Sequence, residues 1–500
     1  MLSAFKNSLK IPELRQRIIF TLCMVVIVRM GAAIPVPGVN PKVLGEFFRS
    51  VVDQSTGGTV IGMFNLFSGG ALENCALFSL SIMPYISASI MMQLLTAVIP
   101  SLAKKAREEG GRQMITQYTR VLTLALCLFQ GYLLAKGFES PESIHQLSGI
   151  KSAVASYGQL VPNPGLLFEL TTVISLTTGT MLLMWLGEQI TEKGIGNGIS
   201  LVITVGIVSR LPGALVQGWQ VIHPTAGSTQ EPISPLILVV LLAFLFGVIA
   251  ATIAVTQAMR KVAVQYAKQV RGNKVYGGQT SYLPLKVNYA GVMPIIFAQA
   301  ILLFPSMMIT FIFGNEVQWV HKLTDALNDG WVHYSLYGAM ILFFSYFWVA
   351  TQFNPVQISD DMKKHGGFIP GVRPGQPTAD FLEYSMTRLT LAGAVFLTFL
   401  AVLPMMVQKF MHVPQLTAQF FGGTSLLIMV GVMLDTMRQT ETYLLQRHYD
   451  GFLKKGRLRG RSAFGQTQAG QAAESTGLIW LGALVGLIVI AGITIALIKG

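Results

Sequence analysis

The chain has 500 residues, 52% hydrophobic and only 12% charged, and its 36 Lys+Arg against 23 Asp+Glu give a net charge of +13. With a mean hydropathy of +0.55, that composition excludes a soluble enzyme or a disordered polymer and points to one helical domain of many membrane passes. Cys23, Cys75 and Cys127 are scattered without C-x-x-C spacing, so neither a disulfide scaffold nor a zinc site is expected.

In chain order, Lys6, Lys10, Arg15 and Arg17 precede a first apolar run, Ile18–Ala33. Arg29 interrupts it and Gly31-Ala32-Ala33 is a loose match to a cleavage site, so it reads as a retained helix. A half-length apolar piece at 60–74 follows, broken by Gly69-Gly70 and ended by Glu73-Asn74. A second full run covers 76–99 with Pro84 inside it, and a third covers 118–136. Further runs lie at 167–187, 198–217, 234–257, 289–313, 334–353, 389–408 and 421–437. A polar linker at 462–476 leads to an eleventh run at 477–498. Irregular backbone at membrane depth, as around Gly69-Gly70, must be shielded by protein or line a wet cavity.

With the basic N-terminal tail inside, 25 of the bases fall in segments on that side and 7 on the other, which fixes the orientation. Two inner loops exceed what topology needs. The first, 259–288, alternates around Gly272-Asn273 and reads as a protruding β-hairpin with a basic tip at Arg271 and Lys274. The second, 354–388, carries Phe368-Ile369-Pro370-Gly371-Val372-Arg373-Pro374-Gly375, where Pro and Gly order a loop without helix or strand. Each loop is either a docking site or a topology anchor.

Catalytic patterns are lacking: no H-x-x-x-H pair, G-x-S-x-G elbow or Walker A loop occurs. Gly194-Ile195-Gly196-Asn197-Gly198 follows a membrane run rather than a strand, so it reads as a tight turn with Asn197 or Gly198 as cap, not a dinucleotide loop. An ion-coupled secondary transporter is the alternative class, yet its ionisable candidates, Arg29, Glu73 and Asp435, sit at the ends of runs. The spans also repeat isoleucine beside helix breakers. Ile82 and Ile86 flank Pro84, Ile199 and Ile203 follow the glycine turn, and Ile296 follows Pro294. Such residues either face lipid or converge to narrow a pore and expel water.

Seven stretches carry a resemblance: MFNLFSGGAL, IMPYISASI, MWLGEQITEKGIGNGIS, YLPLKVNYAGVMP, FIPGVRPG, MTRLTL and FGGTSLLI. With them the chain resembles the SecY family of protein-translocation channels over about residues 5–460. The resemblance implies an all-α polytopic fold. Its ten helices would form two pseudo-symmetric halves, 1–217 and 218–461, around an hourglass pore. It implies a plug at about 59–74, a short mobile helix that includes Phe64, Asn65, Phe67, Ser68, Gly69 and Gly70. It implies a pore ring of Ile82, Ile86, Ile199, Ile203, Ile296 and Ile428, and a lateral gate with Ser87 and Asn288. Arg260, Lys261, Arg271, Lys274 and Arg373 would dock the motor ATPase SecA or a ribosome, and SecE and SecG subunits are expected beside the pore. The activity implied is passage of unfolded, signal-bearing polypeptides across the bacterial inner membrane, with release of apolar segments into membrane lipid. No enzyme chemistry, cofactor or metal is implied. The 477–498 run departs from the family pattern; its Gly482 and Gly486 make a small-x-x-x-small face suited to helix packing.

Overall fold

The computed structural model describes residues 11–46, 65, 68–108, 110–140, 154, 158–222, 235–266, 269–271, 274–276, 280–299, 301–302, 309, 323, 330–411 and 424–454. Helix α1, Pro12–Gly31, starts with Pro at its first turn and buries only Leu14, Val28 and Gly31. Ile19, Leu22, Val26, Ile27 and Met30 stay exposed on it, as expected of a helix whose other surface meets hydrocarbon. Gly31 has its reason in packing: a Cβ there would lie 2.2 Å from the Phe78 ring.

The second apolar run is not helical from its start. Residues 68–82 form turns apart from one bridge, and helix α2 runs Met83–Val98 with Pro84 in its first turn. Pro84 therefore starts a helix rather than interrupting one, because its missing N–H is unpaired there in any case. After α2 the chain turns by 107° into α3, Pro100–Arg107. Helices α4, Gly111–Glu139, and α5, Leu166–Lys193, pack along each other, and α5 also packs on α1 and on α6, Gly198–Ile222. Helix α7, Pro235–Gln257, follows.

The 259–288 loop contains two antiparallel pairs. Strand β1, Met259–Tyr266, pairs with β4, Thr280–Lys286, from Met259 opposite Lys286 to Gln265 opposite Thr280. Strand β2, Gln269–Arg271, pairs with β3, Lys274–Tyr276, placing Arg271 opposite Lys274. Beyond it, residues 293–299 are helical. Helices α8, Gly330–Gln352, and α9, Pro355–Lys364, come next, with the Asn354 side chain capping α9 by accepting from Gln357 N.

The second inner loop corrects the expectation of a loop without strand. Gly367–Phe368 form β5, which joins the β1 edge with Gln265 opposite Phe368 and Tyr266 opposite Gly367. The exposed edge of β1 supplied unpaired N–H and C=O groups that a short segment satisfies. Gly367 fits the crossing because a Cβ would come 3.1 Å from the Tyr266 ring. Helices α10, Gln376–Met411, and α11, Thr424–Lys454, complete the described chain; the 462–476 linker and 477–498 run lie outside it.

Among the described residues, five helices are long and apolar enough to cross a membrane, or six if the bent α2–α3 pair counts as one span. Three core clusters draw only on residues between Val28 and Val202. The fourth joins Ile82–Ile90 and α6 to the 293–302 segment, α8, α10 and α11.

Candidate functional site

Ile82, Ile86, Ile203 and Ile296 line one cavity together with Ser81, Met83 and Gln299. Its volume is about 10 Å³, at the lower limit for a single water. Ile428 of α11 is buried in the same apolar cluster, and Ile199, half-buried at the start of α6, packs against it. Helical spacing places these side chains: 82 and 86 lie one turn apart, as do 199 and 203, so each pair shares a face. Asn197 holds the start of α6 by accepting from Ser200 N at 3.2 Å, and Gly196 makes the turn with φ +88. The five-residue stretch 194–198 is thus a tight link between α5 and α6.

The turn-rich segment before α2 packs against α1, α5 and α6. Leu77 N donates to Ile34 O at 2.9 Å and Val36 N to Cys75 O at 2.8 Å, while Pro35 and Ala76 form a bridge. Gly69 O accepts from Arg29 Nη1 at 3.1 Å and from Ser209 Oγ at 3.3 Å. Arg210 Nη2 and Glu73 Oε2 form an ion pair at 2.5 Å. Asn65 caps the turn from inside: its Oδ1 accepts from Glu73 N at 3.1 Å, and its backbone O accepts from Ser68 Oγ at 3.0 Å.

Within the expected plug, Asn65 is helical and 68–74 form turns, where Gly69 and Gly70 take left-handed φ of +64 and +88. A Cβ on Gly69 would lie 2.7 Å from Gly206 Cα, and one on Gly70 would lie 2.5 Å from Arg210 Nη2. They are glycine for close approach. Phe64 and Phe67 lie outside the described residues.

Ser87 is half-buried on α2. Asn288 is buried after β4, its Cα near Gly393 of α10, and no hydrogen bond joins the two among the described residues. Arg260 and Lys261 are exposed on β1. Arg271 and Lys274 face each other in register across β2 and β3. Arg373 is exposed in a loop pinned at both ends. Thr378 Oγ1 donates to Arg373 O at 2.8 Å, and Ser359 Oγ donates to Gly375 O at 2.6 Å.

The residue sequence reasoning passed over is Arg210. It is one more base inside an apolar run, and an intramembrane cation implies a partner, but that partner, Glu73, lies 137 positions away. Ser209 and Gln299 had no signal of their own.

Three comparisons bear on this arrangement. The chain is similar to the protein translocase subunit SecY of Chlamydia trachomatis, 42% identical over 465 residues that cover 92% of this chain and 100% of the relative. A solved protein conducting channel superposes with a TM-score of 0.59 at 16% identity, over 90% of this chain and 99% of that one. Sec61 in a canine ribosome–channel complex superposes with a TM-score of 0.56 at 16% identity, over 90% and 99%. Residues 76–437 match the SecY family, and with that match and the 42% identity over nearly the whole chain, this chain belongs to the SecY family.

Proposed function

We propose that this chain forms the pore through which unfolded, signal-bearing polypeptides cross the bacterial cytoplasmic membrane, and from which apolar segments pass sideways into lipid. The observation that carries the reading is the convergence of isoleucines from separate elements on a cavity no larger than a water. Branched aliphatic side chains there repel water and ions, yet yield to a chain because they are held by non-directional contacts. Family membership supplies the substrate class.

In this reading Ile82, Ile86, Ile199, Ile203, Ile296 and Ile428 are the constriction, and the segment at about 59–74 is the plug. Ten spans form two pseudo-symmetric halves, 1–217 and 218–461, with the N-terminus cytoplasmic. Ser87 and Asn288 flank a lateral gate between α2 and the 289–313 run. Apolar segments leave there because burial in hydrocarbon is favourable. Arg260, Lys261, Arg271, Lys274 and Arg373 dock SecA or a ribosome, whose acids or phosphates suit guanidinium and ammonium groups. SecE and SecG stand alongside, and the 477–498 run is an added span, either a peripheral anchor or one that packs on the channel through Gly482 and Gly486. As a pore the chain carries no catalytic step; SecA or the ribosome supplies the drive.

Reconstitution of this chain with SecA, SecE and a secretory substrate tests the proposal by protease protection. Protected substrate that depends on ATP is expected. Saturable, ion-coupled uptake of a small solute without substrate protection would instead establish a secondary transporter.

A further inference from the structure

We infer that Glu73 and Arg210, with Arg29, make a polar latch that holds the segment 68–74 to one side of the pore. Axial opening is thereby a separate event from lateral opening. The inference rests on the channel reading above.

Every bond of the latch runs to α1, to α6 or within the segment. Glu73 Oε2 pairs with Arg210 Nη2 of α6, the two side chains being 22% and 21% exposed. Arg29 of α1 and Ser209 of α6 both donate to Gly69 O. The apolar anchors lie on the same side. Ala71, Ala76 and Phe78 pack with Val28 of α1 and Val202 of α6; Leu72 and Cys75 pack with Phe168 of α5. By contrast Ile82, Met83 and Ile86 pack across to Ile296 and Ile428. The seam where α2 meets the 293–302 segment begins at the cavity lined by Ser81 and Gln299, and none of the latch bonds named crosses it.

Parting that seam for an apolar segment therefore leaves the latch whole. Displacing 68–74 from α1 and α6 requires breaking Glu73 from Arg210 and freeing Gly69 O. Helix α6 ties the two barriers together, since Ile199, Ile203, Gly206 and Arg210 recur at 4, 3 and 4 residues along one face. Glu73 pairs with Arg210, which reaches Gly70 while Arg29 reaches the adjacent Gly69. Loss of Glu73 leaves like charges facing each other in a partly buried site.

The test uses the full chain reconstituted with its partner subunits in planar bilayers. Resting ion conductance is read beside the lateral release of a model transmembrane segment into lipid. Glu73→Gln and Arg210→Gln are each expected to raise resting conductance roughly tenfold, Glu73→Gln more. Lateral release should stay within about twofold of the parent in both, since every 1.4 kcal/mol is about tenfold and no latch bond crosses the seam. The exchanged pair, Glu73→Arg with Arg210→Glu, should return conductance to within about twofold of the parent. Where a charge variant does not assemble, Ser209→Ala removes one donor to Gly69 O without changing charge and should raise conductance by about twofold. Singles as tight as the parent, an exchanged pair as leaky as the singles, a flat Ser209→Ala, or lateral release that falls with rising conductance would each overturn the latch. Ile86→Asn run in parallel separates the two readings: a leak there with no leak from the latch variants discards the latch and keeps the channel.

Discussion

The isoleucine cluster around Ile82 and Ile86 and the turn-rich segment just before it adjoin at Ser81, yet they are held by different forces. The cluster is apolar, draws side chains from several elements, and depends on area removed from water. The segment depends on directional bonds: a 2.5 Å ion pair, two donors on one carbonyl, and two glycines that admit neighbours closer than any Cβ allows. A gasket of the first kind deforms and recovers around objects of many shapes. A latch of the second kind is either made or broken, because losing one partner leaves the other desolvated and unpaired.

The largest expected effect strikes the apolar side of that comparison. Ile86→Asn or Ile296→Asn places an amide in a cavity of about 10 Å³, where it must recruit water. Resting conductance is expected to rise by more than about tenfold, since leaving an amide dry costs roughly 2–7 kcal/mol. Unchanged conductance in both would remove the constriction from these residues. The next effect strikes the directional side. Gly69→Ala puts a methyl 2.7 Å from Gly206 Cα, backbone that cannot swing aside, whereas Gly70→Ala meets the far end of the Arg210 side chain. Both also pay roughly 1–2 kcal/mol for a left-handed residue with a Cβ. Gly69→Ala should leak several-fold more than Gly70→Ala; equal leaks would show that conformational strain, not close approach, fixes these glycines.

The same contrast decides what could be read from letters. Apolar runs are local patterns, so the helical character of α2 and α6 was legible, whereas the i, i+4 isoleucines fit lipid-facing and converging positions alike and only the family resemblance chose between them. Partnership across long separations was not legible: Glu73 finds Arg210 at 137 positions, and Gly196 N finds Gln439 Oε1 at 243. The stretch at 76–82 was read as helix because it is as apolar as a helix, while its turns are fixed by the bridge to Pro35 and by Cys75 and Ser81 held at positive φ. Strand β5 escaped for a like reason: two residues with a Gly carry no strand signal until the β1 edge is in place.

A third prediction leaves both barriers untouched and asks whether the inner loops act apart from them. Arg373 is exposed, and its guanidinium has no partner among the described residues, so Arg373→Glu removes no internal bond. The fold should survive with resting conductance unchanged, since such surface substitutions are usually within about 0.5 kcal/mol. SecA-driven export should fall by roughly tenfold or more as a like charge replaces an attractive one at the docking loop. Normal export in Arg373→Glu would take this residue out of docking.

The smallest effect sharpens the polar half of the comparison by supplying a polar group that has no latch to make. Tyr337 of α8 is 2% exposed and its hydroxyl has no hydrogen-bond partner among the described residues, while its ring stacks on His333 at 5.8 Å. Leaving a buried hydroxyl unpaired costs about 1–3 kcal/mol, whereas the ring's burial is kept when the hydroxyl goes. Tyr337→Phe is therefore expected to hold or raise the thermal midpoint by a few degrees, with conductance and export as in the parent. A lower midpoint would mean that the hydroxyl is engaged in the folded channel. If burial alone made a polar group matter here, Tyr337→Phe and Glu73→Gln would move the protein in the same direction. Pairing is what distinguishes them, so the first should be benign or stabilising while the second opens a leak.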